Sequence, residues 1–341
     1  MRKTILILLA AAGALCLGSM ASRSARAQMA SEDYNPNTNY DCDRDCLIGY
    51  MNQTLAAMVA HDASTLPLAR DVRYTEDGQT MSLKDGFWET ASAAPTTYKT
   101  FIADPETGEV GVMAMPMENG APVILCLRLK VVLKKITEME AILIRPDAAA
   151  AARLATTLAD NPLYNEIEAP ATRRSRQNLI AIQNSYFSAI EGDTGKRPLP
   201  FDPMAIRLEN GNQTCPSSPN VVPNAAPGAN VPRPPPPAPG TPGALDCAAQ
   251  INLGNFREDT LLRDRRYVAV DVERGLVLGY TFFDHNGTVR EWTLNDGRTR
   301  KATRTSPWTW EIVELFKIRN GKILRVEALV NQVPYGMKAG W

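Results

Sequence analysis

An adjacent aspartate and histidine lie at the end of a strongly apolar run of this chain. Asp284 and His285 occur in the stretch FFDHNG. An imidazole titrates near neutral pH, and a nearby carboxylate can orient the ring, so the two side chains suit general acid–base catalysis. Because Asn-Gly follows them, the same stretch is also typical of a hairpin turn. We therefore predict His285 and Asp284 as a catalytic pair, with a turn as the alternative.

A tyrosine and a glutamate form a second candidate pair. Tyr74 and Glu76 occur in VRYTEDG. In an apolar site a glutamate can transfer a proton, and a tyrosine hydroxyl can stabilise an oxyanion. A solvent-facing strand end would have a similar composition. We take Tyr74 and Glu76 as candidate catalytic residues, with Tyr335 as another oxyanion donor.

Large aromatic side chains and one arginine are candidates for substrate binding. Trp88, Trp292 and Tyr335 could line a site for a flat, aromatic ligand, and Arg266 could bind a carboxylate or phenolate in a bidentate manner. The alternatives are core packing for the aromatic residues and a salt-bridge network for the arginine. In SPWTWE, Trp308 and Trp310 are expected on the same side of a strand.

Several functional classes have no support in the sequence. The chain contains no P-loop, no Gly-rich dinucleotide motif, no Gly-x-Ser-x-Gly and no His-Glu-x-x-His. It has 2 histidines, His61 and His285, which argues against a histidine-rich metal centre, and we expect neither a metal nor a cofactor. Lys and Arg total 37, as do Asp and Glu, so composition favours neither nucleic acid nor an anionic membrane as a partner.

The elements that must position these residues occur twice. KITEMEAIL at 135–143 is repeated as KILRVEALV at 322–330. Amphipathic helices are predicted over 43–61 and 175–191. Each is followed by a similar segment, LPLARDVRYTEDG at 66–78 and LPFDPMAIRLENG at 199–211. The second copy keeps the glutamate, as Glu209, and has Arg207 in place of Tyr74.

This order predicts an α+β fold made of two similar units. Strands are expected around 98–103, 108–115, 121–134 and 135–144 in the first unit, and around 265–272, 276–283, 288–294, 309–318 and 322–331 in the second. A helix followed by antiparallel strands suggests a helix held in a curved sheet. The long, partly alternating runs VILCLRLKVVL and WEIVELFKI predict sheets with one face on a core and the other partly solvated. We place the first unit at 28–165 and the second at 166–341, with a proline-rich insertion at 216–246.

The N-terminal segment and the cysteines indicate export. A basic start, an apolar run over 4–18 and Ala-Arg-Ala at 25–27 predict a signal peptide over 1–27, cleaved near Ala27, and a periplasmic or secreted protein. No other apolar run approaches membrane-spanning length. Cys215 and Cys247 bracket the proline-rich insertion and are predicted to form a disulfide. Cys42 and Cys46 are interpreted as structural rather than metal-binding, and the pairing of Cys42, Cys46 and Cys126 stays open.

With the helix, the YTEDG segment and the closing pair WEIVELFKIRNGKILRVEAL in view, the chain resembles two copies of the cone-shaped NTF2-like fold. That superfamily includes ketosteroid isomerase, scytalone dehydratase and the polyketide cyclases. The stretches at 263–287 and 72–88 more closely resemble a mostly uncharacterised family of secreted bacterial and fungal proteins. The resemblance implies a helix in a curved antiparallel sheet, and proton transfer in an apolar cone without a cofactor.

We therefore expect an exported, cofactor-independent lyase, isomerase or cyclase acting on a hydrophobic, aromatic small molecule. By analogy within the superfamily, a formaldehyde-releasing lyase acting on lignin-derived aromatic dimers is one form of this hypothesis. The alternatives are a non-catalytic small-molecule-binding protein and a cell-envelope interaction protein. The tandem units suggest either a monomer with pseudo-dimeric halves or a homodimer.

Overall fold

The computed structural model describes residues 42–218, 236–302 and 304–341. The predicted signal peptide lies outside the described residues, as does most of the proline-rich insertion. Five α-helices are assigned in the described part of the chain. They are α1 (Arg44–Val59), α2 (Phe87–Thr90), α3 (Ala148–Thr157), α4 (Arg176–Ile190) and α5 (Cys247–Asn252).

The two long helices begin at side-chain caps. Asp43 accepts a hydrogen bond from the backbone N–H of Cys46, and Ser175 accepts one from that of Asn178, which satisfies a free N–H in the first turn of α1 and α4. Both helices match their predicted ranges to within two residues.

The strands form two six-stranded sheets with the same connectivity. The first sheet has the order β2-β1-β9-β8-β5-β4, and the second has the order β11-β10-β17-β16-β13-β12. The first consists of β1 (Leu68–Glu76), β2 (Gln79–Thr80), β4 (Lys99–Asp104), β5 (Glu109–Ala114), β8 (Ile124–Val132) and β9 (Lys135–Ile144). The second consists of β10 (Phe201–Glu209), β11 (Asn212–Cys215), β12 (Leu261–Asp271), β13 (Leu276–His285), β16 (Trp308–Arg319) and β17 (Lys322–Val333). Short strands β3 (Ala91–Ala93), β6 (Met117–Glu118) and β7 (Ala121–Pro122) pair together, as do β14 (Glu291–Thr293) and β15 (Thr299–Lys301).

Each sheet buries one face against its own helix. Leu47, Met51 and Leu55 of α1 pack with alternate residues of β8 and β9 in one apolar cluster. Leu179 and Phe187 of α4 pack in the same way against β13, β16 and β17. We call α1 with the first sheet the first cone, and α4 with the second sheet the second cone. The predicted α+β class with two curved sheets is confirmed. The sheets are not wholly antiparallel as expected, because β1 pairs with β9, and β10 with β17, in parallel.

The faces opposite the helices pack against each other. A third apolar cluster contains Met113 and Cys126 of the first sheet together with Leu278, Tyr280 and Val313 of the second. Because this face of each sheet is also buried, β13 has no solvated side, in contrast to the half-solvated sheets expected from the sequence. The described residues accordingly form one compact unit.

The strand register supports the sequence repeat position by position. Tyr74 pairs with Met139 and Arg207 pairs with Val326, and these two partners occupy the same place in KITEMEAIL and KILRVEALV. In each cone, the glutamate shared by both motifs accepts hydrogen bonds from a residue of the other cone. Glu140 accepts hydrogen bonds from Arg266 of the second cone, and Glu327 accepts one from the Tyr98 hydroxyl of the first.

The disulfides and the helix lengths relate to the prediction that the protein is exported. The predicted Cys215–Cys247 disulfide is present, a second disulfide joins Cys42 to Cys46, and Cys126 is a buried free thiol. Within the described ranges, none of the helices has the length and apolarity needed to cross a bilayer.

Candidate functional site

His285 is a buried residue of the second cone. It is the last residue of β13 and pairs with Trp308, the first residue of β16. The imidazole stacks on the Trp308 ring with 3.6 Å between centroids, and the Trp310 ring meets it edge-on at 4.8 Å. Only 3% of His285 is exposed. The strand ends at His285, but the imidazole is buried and does not lie in an exposed hairpin turn.

The carboxylate that contacts His285 is Asp259. Its Oδ1 contacts Nε2 of the imidazole, and the residue is fully buried between α5 and β12. Asp284 instead accepts hydrogen bonds from Arg263 (2.7 Å to Nε) and from the Thr309 hydroxyl (2.6 Å). The predicted pairing of His285 with Asp284 is wrong because neighbouring residues on a strand project from opposite faces of the sheet.

Two ring nitrogens beside this pair are buried without a partner. Neither Nδ1 of His285 nor Nε1 of Trp310 has a hydrogen-bond partner among the described residues. Most buried polar groups are hydrogen-bonded, so unpaired ones indicate a site for water or a ligand. We call His285, Asp259, Trp308 and Trp310 the imidazole cluster. It offers aromatic surface and one imidazole nitrogen that can exchange a proton.

A buried carboxyl group lies further along the same strand. Glu314 of β16 is 3% exposed and pairs with Gly279 of β13. Burial raises its pKa to about 8. Gln183 of α4 lies over this point and donates from Nε2 to the Glu314 carbonyl oxygen (3.1 Å). Oε2 of Glu314 and Oε1 of Gln183 have no hydrogen-bond partner in the described part of the chain.

Arg207 is the cation beside this carboxyl group. Its Nε donates to the Thr214 hydroxyl (2.9 Å) and lies 3.0 Å from Oε1 of Glu209, and its Nη2 donates to Oε1 of Gln250 (2.8 Å). Its Nη1 donates to the Tyr186 hydroxyl at 3.4 Å. Burial and the nearby Glu314 carboxyl group raise the pKa of Tyr186. Arg207 is 0% exposed, so its guanidinium group is closed to bulk water, whereas the Glu209 side chain at the edge of the network is 25% exposed.

This carboxyl–guanidinium cluster is separate from the imidazole cluster. Trp308 and Glu314 are six positions apart on β16, which is about 20 Å at ~3.3 Å per residue. The cluster is also specific to the second cone. The first cone has Leu127 at the register position of Glu314, and Met51 at the helix position of Gln183.

The first cone brings together three of the predicted site residues. The Tyr74 hydroxyl donates to Oε2 of Glu76 (2.9 Å), and the Tyr74 ring meets Trp88 edge-on at 6.4 Å. Glu76 also accepts from the backbone N–H of Phe87 (2.7 Å) and from Arg145 (3.1 Å). Burial and the Glu76 carboxylate raise the pKa of Tyr74. These partners hold both oxygens of Glu76, and the group belongs to a different cone from His285.

The remaining predicted binding residues are dispersed. Arg266 donates to Glu140 at the packing face between the sheets. Trp292 lies in the β14–β15 hairpin and donates from Nε1 to the Gly254 carbonyl oxygen (2.9 Å). Tyr335 follows β17 and is 50% exposed. The structure does not bring these three to either cluster.

A small cavity lies between the cones rather than inside either one. Its volume is about 10 Å³, and Tyr98, Leu158, Leu208 and Glu327 are among its lining residues. That volume suits about one water molecule. Among the described residues, no group of three or more His, Cys, Asp or Glu side chains is arranged to hold a metal ion.

Residues 172–330 match a family model. The model is described as a domain of unknown function, DUF8021, and the matched range covers the second cone from just before α4 to near the end of β17. None of the curated proteins matches the chain.

Solved structures similar to the chain come from several bacteria. A candidate ketosteroid isomerase from Kribbella flavida is 13% identical, with a TM-score of 0.24, over 28% of this chain and 76% of its own. An NTF2-like protein of unknown function from Cytophaga hutchinsonii is 10% identical, with a TM-score of 0.24, over 30% and 91%. A candidate isomerase from Bacillus subtilis is 10% identical, with a TM-score of 0.26, over 46% and 87%.

Proposed function

We propose that the second cone carries out proton transfer on a hydrophobic, aromatic small molecule, as an exported lyase, isomerase or cyclase that needs no cofactor. The observation that carries this proposal is the imidazole cluster. Nε2 of a buried histidine contacts Asp259, and one face of its ring stacks on Trp308. Its second nitrogen has no hydrogen-bond partner among the described residues.

The residues have distinct roles in this proposal. Asp259 orients the imidazole and stabilises its protonated form once a proton has been taken. Nδ1 of His285 accepts a proton from the substrate and returns it at another atom, which is the minimum requirement for isomerisation or elimination. Trp308 and Trp310 provide aromatic surface for a flat substrate. Release of formaldehyde from a lignin-derived dimer would use the same pair. The imidazole takes the proton of a CH2OH group, and the carbon–carbon bond to that group breaks to give formaldehyde. The electron pair then forms a carbon–carbon double bond as a neighbouring hydroxyl leaves as water with the returned proton.

The chain offers a matched test with its two histidines. Purified protein would be incubated with aromatic dimers, polyketides and steroids, and products would be followed by mass spectrometry. For any substrate turned over, His285→Ala is expected to lower kcat by about 10²- to 10⁴-fold, the usual contribution of a general acid or base. Asp259→Asn is expected to lower it less, because the imidazole remains.

The control is His61→Ala. His61 lies just after α1 in the first cone, where its Nδ1 contacts the Trp88 carbonyl oxygen, so turnover is expected to be unchanged. Circular dichroism would confirm that each variant is folded. Equal loss in both histidine variants would contradict the assignment to the second cone.

The alternative is a binding protein. The unpaired oxygens of Gln183 and Glu314, beside Arg207, can fix the polar end of a ligand without chemistry. Thermal stabilisation by a ligand, without turnover and unchanged by His285→Ala, would favour this second function. Tyr74 and Glu76 are proposed as a separate site in the first cone, tested in the same screen by Glu76→Gln.

A further inference from the structure

The segment 334–341 connects the two cones after the last strand of the second. Near its start, the backbone N–H of Gly336 donates to the Thr309 hydroxyl of the second cone (3.1 Å). Further on, Met337 contacts Gln79 of β2, with 3.6 Å between the Gln79 Nε2 and the sulfur atom. Trp341 then reaches β1, where its indole N–H donates to the Thr75 hydroxyl (2.8 Å).

The Trp341 indole lies between two arginines of the first sheet. The guanidinium carbon of Arg73 is 4.3 Å from the ring centroid, and that of Arg128 is 4.7 Å away. Arg73 belongs to β1 and Arg128 to β8, the two strands that flank β9. Side chains two strands apart stand about 9–10 Å from each other, a spacing that fits one aromatic ring between them. Tryptophan is the aromatic side chain that binds cations best.

The position of Arg128 is fixed by contacts that do not involve the Trp341 ring. It is buried, and its guanidinium group forms ion pairs with Glu109 (3.0 Å), Glu138 (2.8 Å) and Glu140 (2.9 Å). Thr75 is also fully buried. A hydrogen-bond acceptor and a cationic surface with fixed positions lower the entropy cost of binding a ligand.

The fold does not require these residues, since the second cone lacks them. Thr75 and Arg128 both pair with Glu140 of β9. At the equivalent positions, Leu208 and Leu315 pair with Glu327 of β17. The same backbone therefore accommodates leucines at both places, and the polar pair on the first sheet is an addition.

We propose that Arg73, Thr75 and Arg128 form a binding slot for a planar aromatic group that carries an N–H or O–H donor, and that Trp341 occupies this slot as an internal competitor. The ligand class is an indole or a phenol. The two cations hold the ring, and the Thr75 hydroxyl selects for the donor. The slot is on the first sheet, on the face away from α1, and is independent of the function proposed for the second cone.

The test removes the Trp341 side chain and supplies free indole as a ligand. In the full chain, Trp341→Ala is expected to bind indole saturably in isothermal titration, and the wild-type protein is expected to bind it at least about 10-fold more weakly because its slot is filled. Indene, which has the same shape without the N–H, is expected to bind the variant about 2- to 10-fold more weakly than indole, as loss of one hydrogen bond predicts. Adding Arg73→Ala to the variant is expected to weaken indole binding by about 2- to 30-fold.

Two outcomes would overturn the proposal. One is a folded Trp341→Ala protein that does not bind indole. The other is binding of indole and indene with equal affinity, unchanged by Arg73→Ala, which would mean that Trp341 only covers apolar surface. If Trp341→Ala does not fold, hydrogen exchange of the Trp341 indole N–H decides the question in the wild-type background. Thr75→Val and Arg73→Ala should each accelerate that exchange, and unchanged exchange in both would contradict the slot.

Discussion

A carboxyl oxygen without a partner in a protein interior costs free energy, and the second cone keeps one where the first cone has a leucine. Glu314 lies at the register position of Leu127. Burial raises the pKa of its carboxyl group most, Arg207 lowers this pKa, and the Glu209 carboxylate raises it. The neutral form of Glu314 is therefore favoured, as its raised pKa indicates.

Replacement of Glu314 by glutamine is expected to change how stability depends on pH. The folded protein keeps a proton on Glu314 up to pH about 8, whereas an unfolded chain releases it near 4.5. The free energy of unfolding of the wild type therefore falls as pH rises through this window. Glutamine does not ionise, so the free energy of unfolding of Glu314→Gln does not fall in this way. The difference in free energy of unfolding between the variant and the wild type should therefore grow by up to about 1.4 kcal/mol per pH unit.

Thermal melts between pH 5 and 8.5 would measure this effect. Glu89→Gln is the matched control, since Glu89 is exposed and its replacement should leave the pH profile of the wild type unchanged. A constant difference between Glu314→Gln and the wild type over the whole range would show that Glu314 is already ionised in the folded protein.

Some residues of the imidazole cluster and of the carboxyl–guanidinium cluster can be predicted from the sequence, and others cannot. His285 was identified from its residue type and its position after an apolar run. Asp259 was not, because its contact with His285 joins a loop to a strand and leaves no spacing in the sequence. The sequence does not identify Glu314, because WEIVELFKI predicts a strand with a partly solvated face, whereas both faces of β16 are buried.

At the scale of elements, the position of α4 against its sheet depends on a glycine in β13. A Cβ atom on Gly279 would lie 2.6 Å from Oε1 of Gln183, which is closer than real Cβ contacts. Gln183 is fully buried and donates to β16, so its side chain has little freedom to move away. Glycine at this strand position therefore permits the close approach of the helix.

Gly279→Ala is expected to destabilise the protein by about 1–3 kcal/mol, the range typical of overpacking. Gly49→Ala is the matched substitution in the other cone. Gly49 lies within α1 with no atom within 4 Å of the added Cβ, so alanine should stabilise the protein by about 0.5–1 kcal/mol. Urea denaturation would measure both. Destabilisation by both variants would contradict the packing argument.

The sequence located the long elements well and missed α3. Helices α1 and α4 and the paired strands β8–β9 and β16–β17 have strong apolar periodicity, which tertiary packing enforces. Helix α3 buries only Ala151 and Leu154, so periodicity gives little signal. Its capping residue Asp147 and the alanines that follow it are the local signal that could have identified it.

In the whole molecule, the two cones are joined by a reciprocal pair of ion pairs. Arg176 at the start of α4 bonds to Asp104 at the end of β4 (2.6 Å), and Arg44 at the start of α1 bonds to Asp271 at the end of β12 (3.3 Å). Each arginine is the first residue of its helix, and each aspartate ends the edge strand of the opposite sheet. A two-fold symmetric interface has this relation, in which residue i contacts j and j contacts i.

Arg176→Gln is expected to lower the free energy of unfolding by about 2–4 kcal/mol, because it leaves the buried Asp104 with one backbone donor, the N–H of Val270. Arg44→Gln should cost less, about 1 kcal/mol, because Asp271 keeps Arg274. Urea denaturation followed by fluorescence and circular dichroism is the measurement.

The control for these variants is Glu106→Gln. Its side chain is 63% exposed, so the change should stay within about 0.5 kcal/mol. We expect the two probes to give one coincident transition in every variant, since the cones share an apolar core. Two separate transitions in Arg176→Gln would show that the cones unfold independently.

Both halves of this interface belong to one polypeptide, so their association does not depend on protein concentration. A homodimer with the same contacts would dissociate on dilution, and both of its subunits would have to keep the same interior. Here the contacts between the cones persist at any protein concentration. The two interiors are also free to differ, as Leu127 in one and Glu314 at the same register position in the other illustrate.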